Sequence, residues 1–292
     1  MTSTTDSVAR AAVATVRAAG DMGAVWRVAV EQQWHLLAVA EADGGYGGSL
    51  TDLADVVRAL AGAGLSTPIP ELYAGATGGA VGVALPVGNG ETLVPWGRWC
   101  ADVLVLDGGD TVVPLRGARE RENLAHEPVD ELTVPGAGEG AGPALARWRV
   151  LHTARLVGGA LAGARRTAAY AGTRVQFGRP IARFQAVAAL VAEAHAQSVL
   201  AAAALERALA DVDDDASVLS GHAVAARAAG AVARIAHQVH GAIGVTQELG
   251  LEQLTRRLWA WRDLWQTEFE IECLLAAGVA GRGEDYFWSA DA

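Results

Sequence analysis

The chain has 292 residues, 51% hydrophobic and 19% charged, enough apolar material to bury a substantial core in one large domain or two to three smaller ones. The formal net charge is −10 and all 23 basic residues are arginine; this balance argues against a broad nucleic-acid surface, because phosphate backbones are gripped by clustered cations. Cys100 and Cys273 are too few and too far apart for a disulfide framework or a metal centre, and are expected to be buried thiols in a reducing cytoplasm.

The N-terminal residues Met1-Thr-Ser-Thr-Thr-Asp6 hold neither a basic nor an apolar leader segment, so no signal peptide is expected. No apolar run reads as a membrane span, since Arg and Glu interrupt the Ala-rich runs at helical spacing. Residues 1–85 read as an N-terminal helical domain. Asp6 is placed to cap a helix over Val8–Ala19, and a second helix is expected over Gly23–Trp34. Glu41-Ala-Asp-Gly-Gly-Tyr-Gly-Gly48 is a glycine-rich turn. Ser49 or Thr51 caps the next helix, whose apolar residues are Leu53, Val56, Val57 and Leu60. Pro68 and Pro70 break the pattern before a helix over about Glu71–Ala84.

Residues 86–143 change character. Short β-type runs, Thr92–Val94, Val103–Leu106 and Thr111–Leu115, are separated by turn-rich links such as Gly88-Asn-Gly90 and Asp107-Gly-Gly-Asp110. Gly136-Ala-Gly-Glu-Gly-Ala-Gly-Pro143 reads as a linker. Residues 144–292 return to helix, with long helices expected over Ala144–Phe177, Ala182–Leu209 and Ala216–Val239. A shorter pair is expected over Leu249–Trp261 and Thr267–Ala277. Gly158, Gly159, Ala160 and Gly163 make a small-residue face suited to close helix packing. The fold class is therefore mainly α: an N-terminal helical domain, a reduced central β segment and a C-terminal bundle of the four-helix type.

Three segments carry the chemistry. Arg174-Val-Gln-Phe-Gly-Arg-Pro-Ile181 runs at once into Phe184-Gln185-Ala-Val187, and Gln238-Val-His-Gly-Ala-Ile-Gly244 lies further on. Taken alone, the first is equally a helix-terminating turn. A guanidinium near a helix end, such as that of Arg174, is a fork for phosphate oxygens, and a glycine such as Gly241 lets backbone approach a ligand closely. His237 and His240 stand three apart, but no carboxylate or thiol accompanies them at ligand spacing, so no metal is expected. His240 reads as an orienting or packing side chain.

At this spacing the three segments together resemble the C-terminal helical domain of acyl-CoA dehydrogenases, and the element order resembles that family over nearly the whole chain. The resemblance implies that Arg174 meets the pyrophosphate of FAD and that Phe177 packs beside the dinucleotide. It further implies that Gln185 contacts the cofactor region and that Gln238 and Gly241 approach the adenosine portion, largely across a subunit interface. Ala242 stands where the family has a second glycine. The family's Thr-Glu-Pro-type and Trp-Ile-Thr-Asn-type strands, which wall the flavin ring, have no counterpart in the short central segment.

The α-proton of an acyl-CoA needs a positioned carboxylate. In most relatives it lies in a Tyr-Glu-Gly-Thr-type loop, which aligns with Trp265-Gln266-Thr267-Glu268 and puts Gln266 at the base position. In others it precedes an Arg on the first bundle helix, where this chain has Ala154 before Arg155. Glu268 or Glu270 is the alternative base; otherwise both are solvated helix-start carboxylates. The resemblance thus implies the short subunit of a heteromeric enzyme of the kind found in actinobacterial steroid breakdown. A full-length acyl-CoA dehydrogenase subunit would be its partner, as α2β2, with FAD shared at the interface and an acyl-CoA as substrate. A self-sufficient homo-oligomer using Glu268, or a scaffold without flavin, stays open, as does the role of Trp259, Trp261 and Trp265 as core or binding anchors.

Overall fold

A computed structural model describes residues 3–77, 81–88, 90–107, 111–134 and 142–282. Four helices open the chain: α1 (Ser3–Ala19), α2 (Met22–Glu31), α3 (Leu50–Gly62) and α4 (Ile69–Thr77). Two of these starts have a local cause. The Asp21 carboxylate accepts from the Ala24 N–H at the head of α2. Ser49, one of the two expected caps, forms a capping box with Asp52 at the head of α3. Asp6 lies inside the first turn of α1 and is not its cap, because the helix already begins by Ser3. The second helix ends at Glu31: Gln33 turns to φ 53, and residues Trp34–Ala38 form a separate 3-10 turn that buries Trp34.

Helix α4 stops at Thr77, short of Ala84. The run expected to continue it is strand β1 (Gly82–Gly88), whose first five residues are all buried. A strand buried on both faces shows no alternation, so its period is lost in sequence. With β2 (Glu91–Pro95), β3 (Asp102–Val105), β4 (Thr111–Pro114) and β5 (Val129–Thr133) it forms a sheet of order β4-β3-β1-β2-β5. β1 pairs antiparallel with β2 (Leu85 opposite Leu93) and parallel with β3 (Val83 opposite Leu104). Leu85, Leu104 and Leu106 press the sheet against Trp148 and Leu264. Most of the glycine-rich linker expected before Pro143, residues 136–141, lies outside the described residues.

The second half is α5 (Pro143–Thr173), α6 (Gln185–Ala210), α7 (Asp215–His240), α8 (Leu251–Arg262) and α9 (Glu268–Arg282). The small-residue face of α5 packs as its composition suggests. A Cβ on Gly158 would lie 2.3 Å from the Arg58 carbonyl oxygen, so α3 and α5 meet backbone to backbone, and Gly163 admits Val232 of α7. One apolar core runs from Leu53 and Leu60 of α3 through Leu151 and Val157 of α5 to Ile235 of α7 and Trp261 of α8. The N-terminal helices and the bundle thus share it.

Helix α6 is long and apolar enough to cross a membrane by length and composition, although no run of the sequence is expected to do so. Two ion pairs tie it to other helices: Glu206 to Arg58 at 2.9 Å, and Glu193 to Arg234 at 3.0 Å.

Candidate functional site

At one end of the bundle α5 stops at Thr173, four residues short of Phe177. Arg174 is its cap residue, and its N–H bonds the Tyr170 carbonyl at 2.8 Å. The chain then makes a tight hairpin, β6 (Val175–Gln176) and β7 (Arg179–Pro180). Its two turn residues, Phe177 and Gly178, both have positive φ, 52° and 78°, the pattern of a two-residue loop matched to strand twist. The hairpin holds the Phe177 ring outward, 91% exposed and edge-on to Phe184 at 5.9 Å, while the Arg179 guanidinium covers Phe184 at 4.3 Å. Arg174 is exposed, and so is Gln185, the first residue of α6.

Helix α7 ends one residue before Gly241, whose φ 64, ψ −148 is closed to residues with a side chain. Among the described residues, no atom stands where its Cβ would be, so the backbone turn itself requires the glycine here. Tyr170 of α5 stacks on His240 at 4.2 Å. That contact brings the C-terminal ends of α5 and α7 together, and with them the hairpin and the exposed Gln238 and Gly241. His240 is buried and its Nδ1 bonds the Ala236 carbonyl at 2.7 Å, a packing role.

Beside Gln238 opens a cleft of about 720 Å³ lined by Arg234, His237, Gln247, Glu252 and Trp259 among others. His237 lies flat on Trp259 at 5.5 Å and its Nε2 meets Thr255 Oγ1 at 2.8 Å. Burial holds the imidazole below its ordinary pKa. Two buried atoms here, His237 Nδ1 and Glu252 Oε2, have no hydrogen-bond partner among the described residues. A flat aromatic face with amides, a guanidinium and unpartnered polar atoms is chemistry that holds a base and sugar.

The two expected base positions lie elsewhere, Ala154 in the interior and Gln266 half-buried. Ala154 is fully buried on α5. The Gln266 side-chain oxygen accepts from Arg149, a buried guanidinium that also lies 5.3 Å from the centre of the Trp265 ring. Desolvation pushes the Arg149 pKa down to about 10, and its Nε–H has no acceptor among the described residues. Further along α5, Arg155 grips both oxygens of the buried Glu71 carboxylate at 3.1 and 2.9 Å and also donates to the Thr67 carbonyl. The Trp148 indole N–H donates to Glu71 at 3.3 Å.

His152 accepts from Arg155 at Nδ1, which leaves Nε2 to donate to the Trp261 carbonyl at 2.8 Å. Burial, then the nearby Arg155 and His222, hold His152 well below its ordinary pKa; burial, then Arg149, takes His222 down to about 3. Trp148 stacks on His152 at 4.9 Å and meets Trp265 edge-on at 5.9 Å. Among the described residues, these aromatic and charged side chains pack on one another.

Glu268 and Glu270 serve the head of α9. Glu268 pairs with Arg227 of α7 at 2.7 Å, and Glu270 closes a box on the Thr267 N–H at 2.7 Å. The three tryptophans divide. Trp261 is core, its N–H bound to Glu127 at 2.9 Å; Trp265 is half-buried and bonds the Pro86 carbonyl; Trp259 faces the cleft. Sequence reasoning missed Glu71, Arg149, His152 and His222. The one signal was two arginines, Arg149 and Arg155, inside an apolar helix, each needing an unseen acceptor.

Residues 140–262 match the family model described as acyl-CoA dehydrogenase, C-terminal domain. The chain is similar to acyl-CoA dehydrogenases, through that domain and over most of its length. The acyl-CoA dehydrogenase IpdE2 of Mycolicibacterium smegmatis is 28% identical over 261 residues, 80% of each chain. Among solved structures, the Tcur3481-Tcur3483 steroid ACAD G363A variant superposes with a TM-score of 0.79 at 19% identity, over 95% of this chain and 97% of that one. The ChsE4-ChsE5 complex from Mycobacterium tuberculosis gives 0.78 at 20% identity, over 96% and 98%. At such identities these structures speak for the acyl-CoA dehydrogenase fold. Arg174, Gln185 and Gln238 all lie within the segment matched to the family's C-terminal domain.

Proposed function

We propose that this chain is the short, non-catalytic subunit of a heteromeric acyl-CoA dehydrogenase that introduces an α,β double bond into a bulky, steroid-derived acyl-CoA. One observation supports the reading: at the two positions where the family likeness puts the base, this chain has Gln266, an amide held by Arg149, and Ala154, a buried methyl group, and neither takes a proton from carbon. Glu268, the alternative base, is committed to Arg227. The partner is a full-length acyl-CoA dehydrogenase subunit that supplies the carboxylate and the wall over the flavin ring, in an α2β2 assembly in the cytoplasm.

An FAD fits the bundle end. The Arg174 guanidinium is exposed and open to a pyrophosphate, the Phe177 ring is presented outward, and Gln185, Gln238 and Gly241 line the same end. The unpartnered His237 Nδ1 and Glu252 Oε2 beside Trp259 suit the adenosine part. When bound, FAD takes up the β-hydride of the acyl group. This chain's residues then do two things: Arg174 neutralises phosphate charge, and Gln238 and the Gly241 backbone orient the dinucleotide. The likeness to the ChsE4-ChsE5 complex supports a heteromeric assembly.

The test is co-expression with a full-length acyl-CoA dehydrogenase encoded beside it, then a flavin spectrum. Stable co-purification with bound FAD, absent from either chain alone, is expected. A yellow, active protein from this chain alone would overturn the reading.

A further inference from the structure

Charge along the chain is segregated. Between Pro143 and Ala192 there is no Asp or Glu and there are eight arginines, in a molecule of net charge −10. Five of these, Arg165, Arg166, Arg174, Arg179 and Arg183, are exposed and make no ion pair among the described residues. Arg165 lines an apolar face, Arg166 follows it on α5, and Arg183 follows the lining residue Ala182. A groove of about 410 Å³ between α5 and α6 is lined by Ala164, Ala168, Ala188, Val191 and Ala192, with Arg165 and His195 also contributing. It continues along α6, an apolar helix little buried in its most apolar stretch, to Val199 and Leu200, 47% and 56% exposed. Arg179 and Arg183 sit at the N-terminal end of that helix.

We infer that this face docks an apolar helix flanked by Asp and Glu on a partner acyl-CoA dehydrogenase subunit, and that its arginines reject a second copy of the chain. The inference rests on the heteromer reading and names the surface and its selectivity. A twofold contact between identical copies sets the same patch against itself. Guanidinium would meet guanidinium around the groove, and like charges across an interface are strongly unfavourable. Burying the apolar strip therefore requires an oppositely charged partner. Lipid is the poorer occupant: membrane-inserting faces carry bulky Leu, Phe or Trp, whereas alanines form a shallow groove that accepts a helix ridge.

The experiment is sedimentation equilibrium at low salt on three samples: wild type, the Arg165→Glu/Arg166→Glu/Arg183→Glu variant, and their equimolar mixture. Each alone is expected at the monomer mass of 30.1 kDa, and the mixture at twice that. The mixed pair should weaken at least about tenfold when salt shortens the screening length to a few ångströms. The neutral Arg165→Gln/Arg166→Gln/Arg183→Gln variant, with repulsion gone and the apolar strip kept, is expected to pair with itself. It also controls for folding. A stable wild-type dimer at low salt, a mixture that stays monomeric, or wild type pelleting with phosphatidylglycerol vesicles would overturn the inference. In co-expression with the full-length subunit, the Glu variant should lose co-purification. If it keeps both partner and flavin, this face is wrong and the heteromer reading stands. If the mixture pairs but no full-length subunit ever co-purifies, the face stands and the heteromer reading fails.

Discussion

Gln266 shows how a single side chain is read differently once its neighbour is known. An amide at a base position looks like simple loss. Its side-chain oxygen accepts from the buried Arg149, so a cation stands beside this position. Gln266→Glu therefore places a carboxylate against a guanidinium, which holds it ionised and paired. No dehydrogenation by the chain alone is expected, measured by reduction of an electron-accepting dye with an acyl-CoA. The Glu71–Arg155 pair is the second such feature. With both side chains almost wholly buried, Glu71→Ala strands a guanidinium and is expected to cost about 3–5 kcal/mol in urea denaturation. The buried histidines set a pH dependence. His222 is held down to about 3 and His152 well below its ordinary value, so the unfolded chain binds protons that the folded chain refuses. Their stabilising contribution is complete above about pH 6.5 and is lost as pH falls toward 3, at up to ~1.4 kcal/mol per pH unit for each histidine. Denaturation midpoints measured between pH 8 and 4 should fall, and His222→Leu should flatten that slope.

Helices meet here through glycine, and the bundle depends on it. Gly158 sets α5 against the backbone of α3, where a Cβ would sit 2.3 Å from the Arg58 carbonyl oxygen. Gly158→Ala must push the two helices apart, at a cost of ~1–3 kcal/mol by thermal denaturation. Gly172 makes the contrast: it lies on the same helix with nothing within 4 Å of its Cβ position, and alanine there is expected to be neutral or mildly stabilising. The hairpin after α5 is a local device of the same kind. Two positive-φ residues turn the chain within Val175–Pro180, and the Phe177 ring is left in solvent. In sequence this looks like the end of a long helix, because the Ala-rich run of α5 leads into it without a Gly-Pro break before Gly178. The next residue, Gly178, supports either a helix end or a two-residue turn.

At the scale of the molecule, the segment leading into β5 is tied to the bundle through a buried carboxylate. Glu127 accepts from the Trp261 indole at 2.9 Å and meets Arg257 of α8 at 3.3 Å, and Arg256 donates to the nearby Leu124 carbonyl. Glu127→Ala leaves the indole N–H without its acceptor, expected to cost ~1–3 kcal/mol. Hydrogen exchange should rise in residues 119–134 and in α8 while α5–α7 stay protected. Loss of protection across the whole bundle would show instead that the sheet and helices unfold as one unit. The shared core of the N-terminal helices and bundle, from Leu53 to Trp261, is built of apolar contacts.

The mainly helical architecture, the Ser49 cap, the small-residue face of α5 and the three segments that carry the family likeness were all legible in the order of the amino acids. These are local patterns, set by spacing within a few turns of chain. The remaining features came only with packing in three dimensions. Strand β1 is buried on both sides, so it shows no period. Glu71 and Arg155 lie 84 residues apart, so neither announces the other. Gln266 is held by Arg149 from 117 residues away. A buried charge must find its partner across the fold, and no window of sequence contains that pairing.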